Sequence, residues 1–334
     1  MIKEFIFKNP ERFKECHAST IVELENGDFL AAWFGGSKEG KDDVAIWGAR
    51  RSSGVWSAPE LLAKVNDLPH WNPVLFRGTG SKIYLYFKVG NNCSHWHTLV
   101  MSSTDNGENW SIPGELIHDD IGGRGPVKNK CIELFDGAWL APASNEIGSW
   151  QAFVDRSTDN GSTWNRSDFI PVNKTVSGLN ELGKEAPPGV IQPALWESSP
   201  GNVHMLLRSN SGKICRSDSS DGGRVWSAIY ETGLPSNNSG IDLAKLADGK
   251  LLLAYNPVSQ SWGVRWPLTL AVSPDNGESW SKRLDIETVP DREYSYPAVI
   301  ATSDGGAAIT YTWGRESIAF VKLTRRDISG KFNN

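Results

Sequence analysis

The chain holds 334 residues, with 34 Lys and Arg against 39 Asp and Glu and a formal net charge of −5. That acidic balance gives nucleic acid no electrostatic footing, and no apolar run reaches the roughly 18 residues of a membrane-spanning helix. The four cysteines, at 16, 93, 131 and 215, form no Cys-x-x-Cys pair, which argues against a zinc knuckle; no motif indicates another metal or an organic cofactor, and a loop-bound Ca²⁺ stays open.

Residues 1–8 alternate apolar and charged side chains, which reads as a strand and not as a signal peptide. Six hairpins follow, each with a glycine at its tip: Asn26-Gly27, Thr79-Gly80, Asp136-Gly137, Pro200-Gly201, Asp248-Gly249 and Asp304-Gly305. Apolar β-formers flank each tip, as at 21–24 and 29–33, the pattern of a tight antiparallel turn. A second motif, the octet Ser-x-Asp-x-Gly-x-x-Trp, recurs at 103–110, 157–164, 219–226 and 273–280, with a shortened copy at 51–56 that lacks the Asp. Asp and Ser are expected to bond the backbone of a turn, Gly to supply a positive φ, and Trp to anchor the turn on a neighbouring strand. The tryptophans at 56, 110, 164, 226 and 280 are spaced by 54, 54, 62 and 54 residues. Repeats of this length with several short strands each predict an all-β fold, a six-bladed β-propeller occupying 1–334 as one domain. A ring with an open edge would leave a strand unpaired, so residues 2–7 are expected to complete a last blade at about 283–325. The longer interval contains an insertion, 173–189, rich in Gly, Pro and charge; it is expected to be a surface loop or a lid.

Equivalent positions of the repeat should ring the central channel. The segments that lead into the hairpins begin polar or aromatic and become apolar, which places His17, Asn72 with Trp71, Lys128 with Lys130, Gln192, Asp242, and Tyr294 with Tyr296 at one mouth. The exits of the next strands add Trp33, Lys88, Glu146, Arg208, Asn256, Trp313 and Arg315. Buried cations need a partner. Lys128, Lys130, Arg208 and Arg265, gathered on an acidic protein, therefore predict an anionic ligand in the funnel, and the tryptophans suit the apolar faces of sugar rings.

The octets resemble the Asp-boxes of the sialidase superfamily, and the chain resembles a six-bladed sialidase-like propeller from end to end. The resemblance implies carboxylate-binding arginines, with Arg208 and Arg265 in two of the three places, and a tyrosine nucleophile in Tyr294-Ser295. It also implies a general acid on the loop after the first hairpin, where Asp43 and its neighbour Asp42 stand. Two positions depart from the pattern. His17 stands where the first arginine belongs, and Gln192, in Gln192-Pro-Ala, replaces the glutamate that would activate the tyrosine and cannot take its proton.

These residues lead to a carbohydrate-active enzyme with an acidic oligosaccharide or glycan as its partner. In the hydrolytic form Asp43 or His17 serves as acid/base and Tyr294 as nucleophile, with Gln192 in the activating place. Arg208, Arg265, Lys128, Lys130, Asn72, Trp71, Asp242, Tyr296 and Arg315 would bind substrate. Some sialidase-like propellers act on rhamnose linked to glucuronate with a histidine in the site, which makes β-elimination by His17 or Tyr294 the alternative. A propeller that binds glycans without cleaving them is the third reading.

Overall fold

The computed structural model of the protein describes residues 1–8, 12–78, 80–280 and 282–332. Each glycine at a hairpin tip takes a left-handed φ between +77° and +85°, a region closed to most side chains, and so turns one strand back on the next. Thr79, beside the second tip, lies outside the described residues. The hairpins seed six antiparallel sheets of four or more strands, five of them ordered along the chain from an inner to an outer strand and the sixth completed at its outer edge by the N-terminal strand. The inner strands are Glu15–Glu23, His70–Arg77, Ile132–Glu133, Val190–Ser199, Asp242–Lys245 and Tyr294–Ala301, and they belong to blades one to six in that order.

The last blade closes as the alternation of the first residues predicts. Ile2–Phe5 pairs antiparallel with Ser317–Leu323, from Ile2 opposite Lys322 to Phe5 opposite Ala319. The expected boundary of that blade needs correction. Lys282–Glu287 is the outer strand of blade five, paired with Leu268–Ser273, because the octet turn joins the third and fourth strands of one blade and not two successive blades.

The octets work as their residue types dictate. In the copy at 157–164, Ser157 donates to Asp159 at 2.8 Å and accepts from the Gly161 amide at 2.9 Å, Asp159 accepts from the Thr163 amide at 2.8 Å, and the Trp164 indole donates to the Gly161 carbonyl at 3.1 Å. Between blades, apolar side chains from facing sheets interlock. One such layer joins blades five and six through Leu252, Leu270, Val299, Ile309 and Val321, with Ile328 and Phe332 of the C-terminal segment sealing its end.

Four inner strands share an irregularity. Ala18, Asn72, Gln192 and Tyr296 all have positive φ, between 41° and 55°, and the register of each strand slips there, between His17 and Thr20, Trp71 and Val74, Ile191 and Ala194, and Ser295 and Ala298. Each is a bulge, which re-aims a side chain, and a non-glycine residue held there costs about 1–3 kcal/mol. The amides freed by the bulges find side chains of neighbouring blades: Leu75 donates to Thr20 at 3.0 Å, Gln192 to Ser144 at 3.3 Å and Val299 to Asp242 at 2.7 Å. The insertion carries a two-stranded ribbon, Gly178–Leu179 against Glu185–Ala186.

Candidate functional site

The bulges point at one end of the channel, the mouth formed by the N-terminal ends of the inner strands. At its centre is Tyr296. Its phenolic oxygen accepts from Arg208 Nη1 at 2.8 Å and from Gln192 Nε2 at 3.3 Å. The Arg208 guanidinium also donates to Gln192 Oε1 at 3.3 Å and to Asn238 Oδ1 at 2.9 Å, and lies 5.2 Å from the Trp150 ring centre. Arg208 is 4% exposed and, among the described residues, no carboxylate lies within ion-pair distance of it. His17 packs against Tyr296 with ring centres 4.2 Å apart. Its Nδ1 is buried without a hydrogen-bond partner and lies 3.9 Å from Glu293.

The other two arginines of the mouth are already paired. Glu293 accepts from Arg265 at 2.7 Å and from Arg315 at 3.1 Å, and Glu39 accepts from Arg315 at 2.5 Å. Arg265–Glu293–Arg315–Glu39 is thus a network of zero net charge, and Arg208, among the described residues, has neutral hydrogen-bond partners alone. Burial would raise the Glu293 carboxyl, but Arg265, Arg315 and the Ser295 hydroxyl together hold it below the usual range. His17 is held well below the ordinary imidazole value by burial first, then by Arg315, Arg265, Lys128 and Arg208. It is therefore a neutral proton acceptor at pH 7. Glu146 moves the other way: burial raises its carboxyl against the pull of Arg208 and Lys88, and its Oε1 has no partner. An upward shift is the direction in which a general acid is tuned.

The structure brings together His17, Gln192, Arg208, Arg265, Arg315 and Tyr296, and it places the other expected residues elsewhere. The Tyr294 ring is 1% exposed in the core between blades five and six. Burial, then Glu287, raises its phenol. The bulge between Ser295 and Ala298 explains why Tyr296, and not Tyr294, meets the arginines. Asp43 is exposed and accepts from the Ser37 amide and hydroxyl, both at 2.8 Å. With Asp42 and Lys64 it lines a separate surface hollow on blade one. The acid of that loop that turns toward the arginines is Glu39.

Lys128 stands in the mouth, but its ammonium donates to Asn129 Oδ1 and the Ile241 carbonyl, both at 2.9 Å, and to the Pro297 carbonyl. Burial brings it down to about 7. Its neighbour Asn129 clamps the blade-four bulge through the carbonyls of Gln192 and Pro193. Lys130 and Asp242 form an ion pair at 3.0 Å, with Lys130 lining a cavity of about 730 Å³ at the opposite mouth. Trp71 donates to the Gly90 carbonyl at 2.9 Å and packs on Phe34 and Trp96 beneath the 37–43 loop. Asn72 occupies its own bulge.

Sequence reasoning did not single out Glu293, Trp150, Trp262 or Asn238. Glu293 stands next to the tyrosine pair, and Trp262 three residues before Arg265, which was the signal available for each. Among the described residues, one group, Glu115, His118 and Asp119, brings three potential metal-ligand atoms within 4.8 Å; it is fully exposed at the outer edge of blade two.

A family model described as a BNR repeat-like domain matches residues 27–309. Among solved structures, a sialidase designated Hadza microbial sialidase Hz136 superposes with a TM-score of 0.78 at 15% identity, over 97% of this chain and 68% of that one. A protein of unknown function from Dyadobacter fermentans gives 0.77 at 16% identity, over 96% and 97% of the two chains. A leech intramolecular trans-sialidase complexed with 2,7-anhydro-Neu5Ac gives 0.75 at 14% identity, over 100% and 71%. Identities this low speak for the fold. No curated protein matches the sequence.

Proposed function

The chain belongs to the BNR repeat-like family, and we propose that it is a carbohydrate-active enzyme, an exo-acting glycosidase that cleaves at or beside an acidic sugar. The observation that carries this reading is Arg208. It is a buried guanidinium held by neutral groups and aromatic rings, and it stands beside a neutral imidazole and a carboxyl that burial pushes above its usual range. A planar fork with no carboxylate of its own is suited to a ligand's carboxylate. The likeness to solved sialidases supports a glycan substrate.

In this reading Arg208 orients the sugar through its carboxylate, with Arg265 and Arg315 giving long-range support from within their own ion-pair network. Tyr296 faces the anomeric carbon as nucleophile or charge stabiliser. Its oxygen already receives two hydrogen bonds, so its own hydrogen remains available to a base. Gln192 orients the phenol and cannot take that proton; His17 takes it. Glu146 protonates the leaving oxygen, then as carboxylate activates the water that releases the sugar. Asp43, Lys130 and Asp242 have no direct part.

Neutral His17 also favours a second reading, elimination. Here Arg208 neutralises a uronate carboxylate, His17 removes the adjacent carbon-bound proton, and Glu146 protonates the leaving sugar. A product assay on sialosides and glucuronate-containing glycans separates the two. A saturated sugar with water added supports hydrolysis. A conjugated, unsaturated uronate supports elimination. Binding without any product would sink both and leave a glycan-binding propeller.

A further inference from the structure

Where the hairpin tip of blade four meets the octet of blade five, Ser198, His204 and Asp218 stand in a hydrogen-bonded series. Ser198 Oγ lies 2.8 Å from His204 Nε2, and His204 Nδ1 lies 2.5 Å from Asp218 Oδ1. We propose that this cluster is a second catalytic site, a serine esterase that hydrolyses short acyl esters such as acetyl esters, independent of the near mouth and of the function proposed for it. Nucleophile, base and orienting carboxylate in that order are what acyl transfer through a serine needs.

Strand pairing builds the cluster. His204 stands opposite Asp218 on one side and Trp196 on the other. The Trp196 ring stacks on the imidazole, with centres 5.0 Å apart at 26°, and Ser198 reaches the imidazole from the register slip between Glu197 and Ser199. The partners fix the protons. Burial would raise the Asp218 carboxyl, but hydrogen bonds from His204 and Tyr230 and the Arg216 guanidinium hold it down to about 2. It is an ion that only accepts. In the neutral ring Nδ1 therefore carries the proton, aimed at Asp218; Arg216 Nη2 comes no nearer to Nδ1 than 3.4 Å. At the other edge the Trp196 indole can only donate, and it donates to Asn276 Oδ1 at 2.7 Å. That orients the amide so that Nδ2 faces His204 Nε2, at 3.2 Å. Nε2 is thus a bare acceptor, the tautomer a general base requires. The Ser198 hydroxyl also lies 3.3 Å from the Asn202 carbonyl, the longer of its two contacts.

The reaction balances with water as the second reactant. Ser198 Oγ bonds to the acyl carbon as its proton passes to His204 Nε2, and that proton leaves with the alcohol when the ester C–O bond breaks. Water then repeats the exchange: its oxygen bonds to the acyl carbon, one of its protons goes to Nε2, and Oγ recovers that proton as the carboxylic acid departs. The second N–H of the Asn276 amide is the donor available to the oxyanion. The rim sets the size of the acyl group. Ser198 is half-buried, and Ser199, Pro200 and Asn202 beside it are exposed. An open, largely polar rim gives a long acyl chain no apolar wall, so a short one is the fitting substrate.

The test uses the full chain with p-nitrophenyl acetate, and separately with a fluorophosphonate whose point of attachment is found by peptide mass spectrometry. Wild type is expected to release p-nitrophenolate faster than buffer does and to carry the phosphonate on Ser198. Ser198→Ala removes one hydroxyl, and Asp218→Asn removes the charge that sets the tautomer; each should lower hydrolysis about a hundredfold or more. Ser199→Ala, at the exposed neighbouring serine, should leave the rate unchanged. Hydrolysis no faster than buffer in wild type overturns the second site, as does a phosphonate carried by another residue or full hydrolysis in Ser198→Ala. The label is read on wild type, so that arm holds whether or not the variants fold.

Discussion

The two ends of the channel are built from the same six blades and could hardly be more different. At the far end lie the octet turns, four near-identical copies in which serine, aspartate and backbone amides satisfy one another within a single loop. At the near end the bulge recurs in four of the six blades, and each of the four places a different side chain on it: Ala18, Asn72, Gln192 or Tyr296. Buried atoms without partners lie there too, among them His17 Nδ1, Glu146 Oε1 and Asn238 Nδ2, although the octet at 103–110 also leaves Asn106 Oδ1 and the Trp110 indole unpaired. The difference teaches where the fold places its stability and where it accepts strain. Repetition perfects the far turns, and departures from repetition collect at the near mouth, where a ligand is proposed to bind.

Breaking the near mouth should cost function and spare the fold. The largest effect is expected from Arg208→Ala, which should lower kcat/KM about a thousandfold by removing the charge-assisted contact to the substrate carboxylate. Activity within a factor of two of wild type would sink the site. Next, Tyr296→Phe should lower kcat by about a hundredfold or more, whereas Tyr294→Phe should leave it nearly unchanged. Equal losses in the two variants would show that the bulge does not decide which tyrosine acts. His17→Asn should follow, with a lowered kcat and the loss of the acidic limb of its pH profile, because a base on which activity depends must be unprotonated.

Acidification sharpens the comparison through stability. His17 titrates well below its ordinary value when folded, and burial takes His70 down to about 4. The unfolded chain therefore binds more protons than the folded one between about pH 6.5 and these lower values, so stability falls as the pH drops through that window. The octet carboxylates act in a second window. Hydrogen bonds from Ser103 and Asn109, and from Thr163 and Ser157, hold Asp105 and Asp159 down to about 2. Their contribution is present above the unfolded value near 4 and is lost as the pH falls through the folded one. Melting temperatures should decline in these two stages, and His17→Asn should flatten only the first. The smallest effect is expected at the far end, where Asp275→Ala should lower the melting temperature by a few degrees and leave kcat/KM unchanged. A large loss of activity there would break the division between the two ends.

Fold and site were legible in the sequence to different degrees. Glycine tips and octets are local devices, each written in a few adjacent residues, so their spacing yields the number of blades and the closing strand directly. The place of His17, Gln192 and Arg208 at the mouth was visible because each interrupts a pattern at a position the repeat defines. Tyr294 and Asp43 misled because alternation and motif order say which residues come near the mouth and not which way they face. A one-residue bulge at Tyr296 reverses the facing of the pair, and the 37–43 loop turns Glu39, not Asp43, toward Arg315. Charge was ambiguous for the same reason. Sequence counts the cations Lys128, Lys130, Arg265 and Arg315, but only the folded ring reveals that carbonyls, Asp242, Glu293 and Glu39 already occupy them.

Sequence alone therefore determined the blades, their closure and the end of the channel at which the departures collect, because those follow from local turn chemistry repeated at a constant interval. Tertiary structure decided which side chains meet there, leaving Arg208 without a carboxylate partner among the described residues and setting the ribbon beside it, because these contacts join residues from different blades and depend on strained bulges that no local pattern records.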